Sequence, residues 1–256
     1  MRMMEYATGL ALSLVLALPV HANSFFSNSD STRSWKLGIE VVPGIAYRTL
    51  SIGENVSYAQ FIIDSRNTSE VPRLNFSGAL SIEHQFTRFF GISGGAGYTV
   101  MGWQTEAYDF TFGDMIDPRR GFIYATSDQA IRSVKFVHNF HYVDIPMRAQ
   151  FSFGKKRFRS ITSIGIMSSF LVRSNTMVVL TYADGSDDKD KQNASAEFNK
   201  IGLFPTFSTG VSYALNDRMD LRLEPTFRYG VLRVIEAPIT ANLWSGGIGF
   251  SFHYAL

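Results

Sequence analysis

Hydrophobic and polar residues alternate with a period of two along most of the chain. In the segment 34–48, one set of alternate positions is apolar and has aromatic residues near its ends, at Trp35 and Tyr47, whereas the other set is small or charged. Such alternation is typical of a β-strand with one apolar face and one polar face. We therefore predict a strand here, with its aromatic residues on the apolar face.

The same alternation recurs along the rest of the sequence. The predicted strands are 34–48, 74–86, 90–100, 143–153, 161–173, 201–213, 219–231 and 244–256. They are longer than the roughly 5–6 residues of most soluble strands and long enough for the roughly 9–11 residues of a tilted membrane strand. Their number is even, as in single-chain bacterial outer-membrane barrels. We predict an all-β fold, a closed antiparallel transmembrane β-barrel of eight strands. A soluble β-sandwich is the alternative, but it does not explain aromatic residues at the ends of the apolar faces.

The orientation of these faces follows from the barrel. The apolar faces should contact lipid, with aromatic girdles at both interfaces, and the polar faces should line the lumen. The large aromatic residues that we expect to point outward are Trp35, Phe76, Phe86, Phe90, Phe151, Phe207, Phe227, Trp244, Phe250 and Phe252.

The links between the predicted strands are alternately long and short. The long links are 49–72, 104–139, 174–198 and 234–241, and the short ones are 87–89, 154–157 and 215–218. Outer-membrane barrels have long extracellular loops and short periplasmic turns, so the pattern predicts that the chain starts on the periplasmic side. An additional hairpin within 49–72 or 104–139 would give ten strands, and we leave this alternative open.

The first residues have the pattern of a secretory signal peptide. Residues 1–22 combine a short charged start, the apolar run Ala7–Leu18 and small residues before Asn23. The apolar run is shorter than the roughly 17–25 residues of a spanning helix. We expect cleavage before Asn23, a periplasmic segment at 23–33 and a barrel at 34–256, located in the outer membrane of a Gram-negative bacterium.

Composition narrows the possible partners. Only 18% of the residues are charged, the net charge is +2, and there is no cysteine. A balanced charge gives no electrostatic basis for nucleic-acid binding. The absence of cysteine excludes disulfides and a cysteine-linked lipid anchor. Outer-membrane lipid is the partner that the apolar strand faces predict.

The predicted lumen contains both acids and bases. An eight-stranded barrel is only wide enough for its interior to be filled by side chains, and buried charges need partners. We therefore predict a lumen ion-pair network that consists of Lys36, Glu40, Glu83, Arg148, Arg222, Glu224 and Arg228. Asp144 and Asp220 also face inward. We expect Glu83 to meet Arg148 over the glycines 91–97.

The small residues of the last strand suggest a second set of contacts. They leave space for the charges of the seventh strand to approach those of the first. The residues concerned are Arg222, Glu224 and Arg228 on one side, and Lys36 and Glu40 on the other.

The sequence gives little evidence for a catalytic site, a channel or a metal site. A lipid-modifying or proteolytic barrel enzyme is one alternative, for which Ser133, Ser174, Asp109 and Asp128 are loop candidates, but no nucleophile motif is present. A narrow ion channel is another. The five histidines form no ligand set. We therefore predict no catalytic, cofactor-binding or metal-binding residues.

The long links are candidates for partner binding. Aromatic residues alternate around Asp117–Gly121 within 104–139, which indicates a hairpin above the membrane. The run Asp184–Lys191 within 174–198 is strongly polar and is predicted to be a solvated loop. We expect an extracellular or periplasmic protein partner to bind through the links 104–139 and 174–198.

The segment 141–151 resembles one found in small outer-membrane barrels of the PorT-like kind from Bacteroidetes. The matching residues are Tyr142, Asp144, Ile145 and Pro146. Arg148 and Gln150 depart from the aliphatic residue and the lysine of that family's pattern. The resemblance implies an outer-membrane barrel, and some members of that group are linked to protein secretion. Independently of the resemblance, the filled lumen and the long links lead us to predict a non-enzymatic barrel with an adhesive, scaffolding or secretion-accessory role. No residue in this sequence is diagnostic of protein secretion.

Overall fold

The structure is a computed structural model. It describes residues 34–53, 58–109, 131–154, 157–193 and 198–256. The predicted signal peptide (1–22), the segment 23–33 and the centre of the link 104–139, with Asp117–Gly121 and Asp128, lie outside the described residues. Within the described ranges, no helix is both long and apolar enough to cross a membrane.

Long antiparallel strands make up most of the described chain. In sequence order the elements are β1 (Ser34–Ile52), α1 (Ala59–Ser69), β2 (Glu70–Gln85), β3 (Phe90–Thr105), β4 (Tyr108–Asp109), β5 (Ile131–Phe153), β6 (Phe158–Tyr182), β7 (Asp187–Asn193), β8 (Ile201–Ala214), β9 (Met219–Tyr229) and β10 (Ile239–Ala255). Six of the eight predicted strands extend further toward the long links than the alternation alone predicts; β8 begins at the predicted residue, and β9 ends two residues earlier.

Eight of the strands form a closed ring. The order around it is β1, β2, β3, β5, β6, β8, β9 and β10, and β10 pairs again with β1. Lys36, for example, lies opposite Glu83 on β2 and opposite Ala255 on β10. Because every ring strand has two partners, the ring leaves no open edge. The prediction of a closed eight-stranded antiparallel barrel is confirmed.

The remaining two strands extend the sheet at the end of the long links. β4 pairs with Ser133–Val134 of β5, and β7 pairs with Asn175–Thr181 of β6. β6 continues from Leu171 to Tyr182 after its last pair with β8, at Phe170. At about 3.3 Å per residue, this part is about 40 Å long. β4, β7 and the parts of β5 and β6 that pair with them therefore form an extension on the side that we predict to be extracellular, and we call it the extracellular sheet.

One prediction for the long links is wrong, and one of the two links left open for an additional hairpin contains a helix. Asp184–Lys191 is a turn followed by β7 rather than a solvated loop, because the upper part of β6 supplies a pairing partner. The link 49–72 contains α1 rather than a hairpin. Ala59 and Ile63 are buried four residues apart, which is helical spacing.

The outer face of the barrel has the predicted orientation. Trp35 and Phe76 are more than half exposed in the isolated chain, and none of the ten aromatic residues predicted to face lipid is buried. Some of them contact one another along the turn end, where the Phe86 and Phe90 rings stack with centroids 5.8 Å apart. The apolar surface and its aromatic rim fit a lipid environment.

Candidate functional site

The interior of the barrel at the turn end is centred on Arg222 of β9. Its guanidinium lies 2.8 Å from Glu83 Oε2 and 2.8 Å from Asp220 Oδ2, and it donates a hydrogen bond to Gln150 Oε1 at 3.0 Å. Lys36 Nζ binds the other oxygen of Asp220 at 2.7 Å. The side chains of Arg222, Glu83 and Asp220 are at most 4% exposed. Each buried charge here therefore has a charged partner, as burial requires.

A second group lies next to this one. Arg148 Nη2 is 2.9 Å from Glu40 Oε2, and both side chains are mostly buried. Glu224 accepts hydrogen bonds from Ser208 Oγ at 2.7 Å and from Ser163 Oγ at 3.3 Å. We call the charged residues of these two groups the ionic layer, which consists of Lys36, Glu40, Glu83, Arg148, Asp220, Arg222 and Glu224.

The partners in the ionic layer differ from the predicted ones. Arg222 pairs with Glu83 and Arg148 pairs with Glu40, whereas we expected Glu83 to meet Arg148. In each observed pair the two strands are three positions apart around the ring, so each arginine reaches across the lumen. Asp220 holds Lys36 but was left out of the predicted network, although it shares the inward face of β9 with Arg222.

Small residues do create space around these charges, one of them on the last strand, as predicted, and one on β6, which was not predicted. A Cβ atom at Gly249 would lie 3.3 Å from Glu40 Oε1, and one at Gly165 would lie 2.8 Å from Arg148 Cγ. The Arg148–Glu40 pair therefore depends on glycines in β10 and β6. Volume matching between long and tiny side chains operates as predicted, with different partners.

Hydroxyl groups join the remaining two charges. Asp144 accepts hydrogen bonds from Thr99 Oγ1 and from Ser169 Oγ, the latter at 2.6 Å. Arg228 donates to Ser77 Oγ at 2.5 Å and to Thr99 Oγ1 at 3.4 Å. Thr99 thus bridges the carboxylate and the guanidinium. We call this group the hydroxyl bridge.

Toward the long links the interior becomes apolar, which the sequence analysis did not predict. The Trp103 and Phe140 rings have centroids 5.2 Å apart, and Phe140 meets Phe198 edge-on at 4.9 Å. The buried residues of this apolar layer are Ala46, Met101, Trp103, Phe140, Tyr142, Met167, Phe204, Val234, Ala241 and Leu243. The missed signal is on β3, where the inward set of positions changes from small residues to large apolar ones at Met101 and Trp103.

A third interior group anchors α1 above the apolar layer. Arg48 donates hydrogen bonds to Glu70 Oε2 and to Asn67 Oδ1, both at 2.7 Å. Arg66 of α1 binds the other oxygen of Glu70 at 2.7 Å. Arg48 is 1% exposed, so its buried guanidinium joins β1 to the end of the helix.

Small cavities lie among these described side chains. A cavity of about 20 Å³ adjoins Asp144 and Arg228, and one of about 10 Å³ adjoins Glu224 and His253. A cavity of this size holds at most about one water molecule. At these two places the described side chains therefore leave little free space, which is consistent with the narrow lumen of an eight-stranded barrel.

Comparison with protein families identifies the architecture. The family described as "Outer membrane protein beta-barrel domain" matches residues 26–231, which is most of the chain. The chain belongs to this family. A comparison with curated protein sequences finds no significant match.

Solved outer-membrane barrels resemble this family member only distantly. Neisserial surface protein A has 14% identity, with 86% of this chain and 96% of that chain covered and a TM-score of 0.42. OprG from Pseudomonas aeruginosa has 10% identity, coverages of 87% and 96%, and a TM-score of 0.41. The protease OmpT from Escherichia coli has 6% identity, coverages of 91% and 100%, and a TM-score of 0.40. These similarities are too weak to assign a role.

The loop residues considered for catalysis form no nucleophile–base set within the described residues. Asp109 lies opposite Ser133 on the paired strands β4 and β5, and Ser174 is 2% exposed. The nearby His138 bonds to Thr176 Oγ1 at 3.0 Å. The described parts of the chain contain no group of three or more acidic, histidine or cysteine side chains suited to a metal ion.

Proposed function

We propose that this chain is a non-enzymatic, non-conducting barrel that acts at the cell surface through its extracellular sheet. Its role would be adhesive, scaffolding or accessory to secretion. The observation that carries the proposal is the filled interior, in which an ionic layer and an apolar layer follow one another along the barrel axis. A protein whose pore is closed by its own side chains must act through its exposed ends.

Two kinds of barrier support the absence of conduction. An ion that leaves the ionic layer toward the long links meets buried Trp103, Phe140 and Phe204, which offer few polar atoms to replace its hydration. An apolar solute that leaves the apolar layer meets Arg222, whose three neighbours hold it in place. A continuous path would need both layers to open.

The extracellular sheet supports partner binding. β5 and β6 continue beyond the ring and pair there with β4 and β7, so the sheet extends well past the strand ends of the barrel. The outer edge of β7 has no strand partner within the described residues. We propose that a protein partner binds here, through the links 104–139 and 174–198, while outer-membrane lipid surrounds the barrel.

Membership in the PorT-like group is part of this proposal. The motif residues Tyr142 and Asp144 are buried in the interior, whereas Ile145 is 47% exposed on the outer face. This placement suits a segment that stabilises the barrel wall, so the resemblance supports a shared architecture. The export signal at residues 1–22 and a bacterial outer-membrane location complete the proposal.

Planar-bilayer recordings test the closed interior. We expect no discrete conductance steps from the full chain, because both the ionic layer and the apolar layer block its lumen. A matched variant with Trp103→Ala, Phe140→Ala and Arg222→Ala should conduct if it remains folded, because it lacks central parts of both layers. Regular steps from the unmodified chain would contradict the proposal and favour the narrow channel.

A cell-surface assay tests the binding role. Cells that display the chain should adhere to immobilised serum and matrix proteins more strongly than cells with a variant that lacks residues 176–192, the paired upper part of β6 and β7. The ring strands should still pair in that variant, since β6 meets β8 only up to Phe170. Equal adhesion by both cell types would argue against a role for the extracellular sheet. Turnover of lipid A or of peptides by the full chain would instead favour the enzyme alternative.

A further inference from the structure

The short turns at the periplasmic end share a basic composition. Arg88 lies in the β2–β3 turn, Arg157 follows the β5–β6 turn, and Arg218 lies in the β8–β9 turn. All three arginines are exposed. The sequence of the three turns, at 86–89, 154–157 and 215–218, contains five basic residues and one acid, Asp217. Positive charge is therefore concentrated at one end of a nearly neutral protein.

These arginines surround a cavity at the mouth of the barrel. The cavity has a volume of about 730 Å³, and its lining includes Lys36, Arg88, Arg157, Arg159 and Arg218. We call it the basic vestibule. Residues from all three turns line it, together with residues at the adjoining strand ends such as Lys36 and Asp220. The cavity therefore lies at the turn end of the lumen. Its size is in the range of pockets that bind small ligands or short peptides.

The acids near the vestibule do not neutralise it. Asp220 at its floor is already paired, with Lys36 at 2.7 Å and with Arg222 at 2.8 Å. Within the described residues, no ion pair is formed by Arg88, Arg157 or Arg218. The Arg88 guanidinium instead lies 5.0 Å above the Phe89 ring. Asp217 is the other acid of the lining, so the basic groups of the wall remain in excess.

We infer that the basic vestibule binds an acidic peptide segment of a periplasmic protein. Guanidinium groups bind carboxylates through paired hydrogen bonds, and several of them around one concave site favour a ligand that carries several carboxylates. A peptide approaching from the periplasm can enter along the barrel axis. A lipid headgroup is less suitable, since lipid contacts the outer wall, where Trp35, Phe86 and Phe158 form the rim. The inference is independent of the role of the extracellular sheet.

Fluorescence anisotropy with a labelled octaglutamate peptide tests this inference. The full chain is placed in nanodiscs of neutral phosphatidylcholine, where both mouths are accessible. We expect saturable binding that weakens as salt is added, because exposed charges are screened. The triple variant Arg88→Gln, Arg157→Gln and Arg218→Gln should bind at least tenfold more weakly. Because these residues are exposed, we expect the triple variant to fold. An unheated sample that remains folded during detergent gel electrophoresis shows that its barrel is intact.

A matched control removes three positive charges at the opposite end. Arg132→Gln, Lys189→Gln and Lys191→Gln affect exposed residues of the extracellular sheet and should leave octaglutamate binding unchanged. Equal weakening by both triple variants, or none by the turn variant, would overturn the inference. Binding of inorganic phosphate without binding of octaglutamate would also reject a peptide ligand.

Discussion

Replacement of Arg222 by methionine should destabilise the barrel strongly. The Arg222 side chain is 3% exposed and holds Glu83 and Asp220 at 2.8 Å each. Asp220 would keep Lys36 at 2.7 Å, whereas Glu83 would lose its arginine and remain buried. Loss of one partner from a buried pair costs about 3–5 kcal/mol, because the other charge stays desolvated. We therefore expect the free energy of unfolding to fall by about that amount.

Urea unfolding in phospholipid bilayers, followed by tryptophan fluorescence, measures this effect. With a slope of about 3 kcal/mol per molar urea, the unfolding midpoint should fall by about 1–1.7 M. The matched control is Leu223→Met. Leu223 is the next residue along β9, and its side chain points outward toward lipid and is 41% exposed. The control should change the free energy of unfolding by less than about 0.5 kcal/mol.

A double variant separates the ion pair from simple packing. In Glu83→Gln with Arg222→Met, the unpaired carboxylate is gone, and replacement of a buried pair by uncharged groups is often nearly neutral. The double variant should therefore be more stable than Arg222→Met alone and lie within about 1–2 kcal/mol of the unmodified chain. If the two substitutions instead destabilise additively, the arrangement around Arg222 does not work as an ion pair. A midpoint for Arg222→Met equal to that of Leu223→Met would refute the argument as well.

Three further substitutions test the other interior groups. Phe140→Ala should cost about 3–5 kcal/mol of unfolding free energy in the same urea assay, and clearly more than Phe227→Ala on the lipid face; equal losses would contradict a packed apolar layer. Thr99→Val removes the hydroxyl shared by the hydroxyl bridge and should cost about 1–3 kcal/mol, whereas no loss would show that the bridge is dispensable. Arg48→Met should speed amide hydrogen exchange in α1 while the barrel strands stay protected, and unchanged exchange would show that Arg48 does not anchor the helix.

The ring and its faces follow from the sequence because they depend on a period of two. Trp35 and Phe76 are on the outward set of positions, and both are more than half exposed. Lys36 and Glu83 are on the other set and are buried. Side-chain direction in a strand alternates whatever the neighbouring strands are, so the face of a residue can be read from a single segment.

Partner choice inside the lumen needs more than the alternation. Lys36 and Glu83 are directly opposite on β1 and β2, so a local argument would pair them. In the structure Lys36 binds Asp220 and Glu83 binds Arg222, both on β9. These contacts cross the lumen and depend on the closure and stagger of the whole ring, which a single strand does not encode.

The elements missed outside the ring have polar sequences or short apolar signals. β7 contains Asp187–Asn193, in which no residue is hydrophobic, so no hydrophobic period marks it as a strand. It forms because β6 offers an unpaired edge beyond Phe170. In α1 only Ala59 and Ile63 are buried, and two positions are too few for the sequence pattern to establish a helix.

The motif on β5 shows why a family resemblance supports the architecture better than a function. Its four residues reach four different surroundings: Tyr142 packs against Phe204 in the apolar layer, Asp144 belongs to the hydroxyl bridge, Ile145 faces lipid, and Pro146 lines both small cavities. Proline has no N–H to donate, and the β3–β5 pairing lapses between Met147 and Asp144 while the register stays the same on both sides. Each residue thus meets a requirement of wall or interior, and none reaches the exposed ends where a partner would bind. Barrels with different partners can share such a segment, so the residues that determine function must be sought in the extracellular sheet and the basic vestibule.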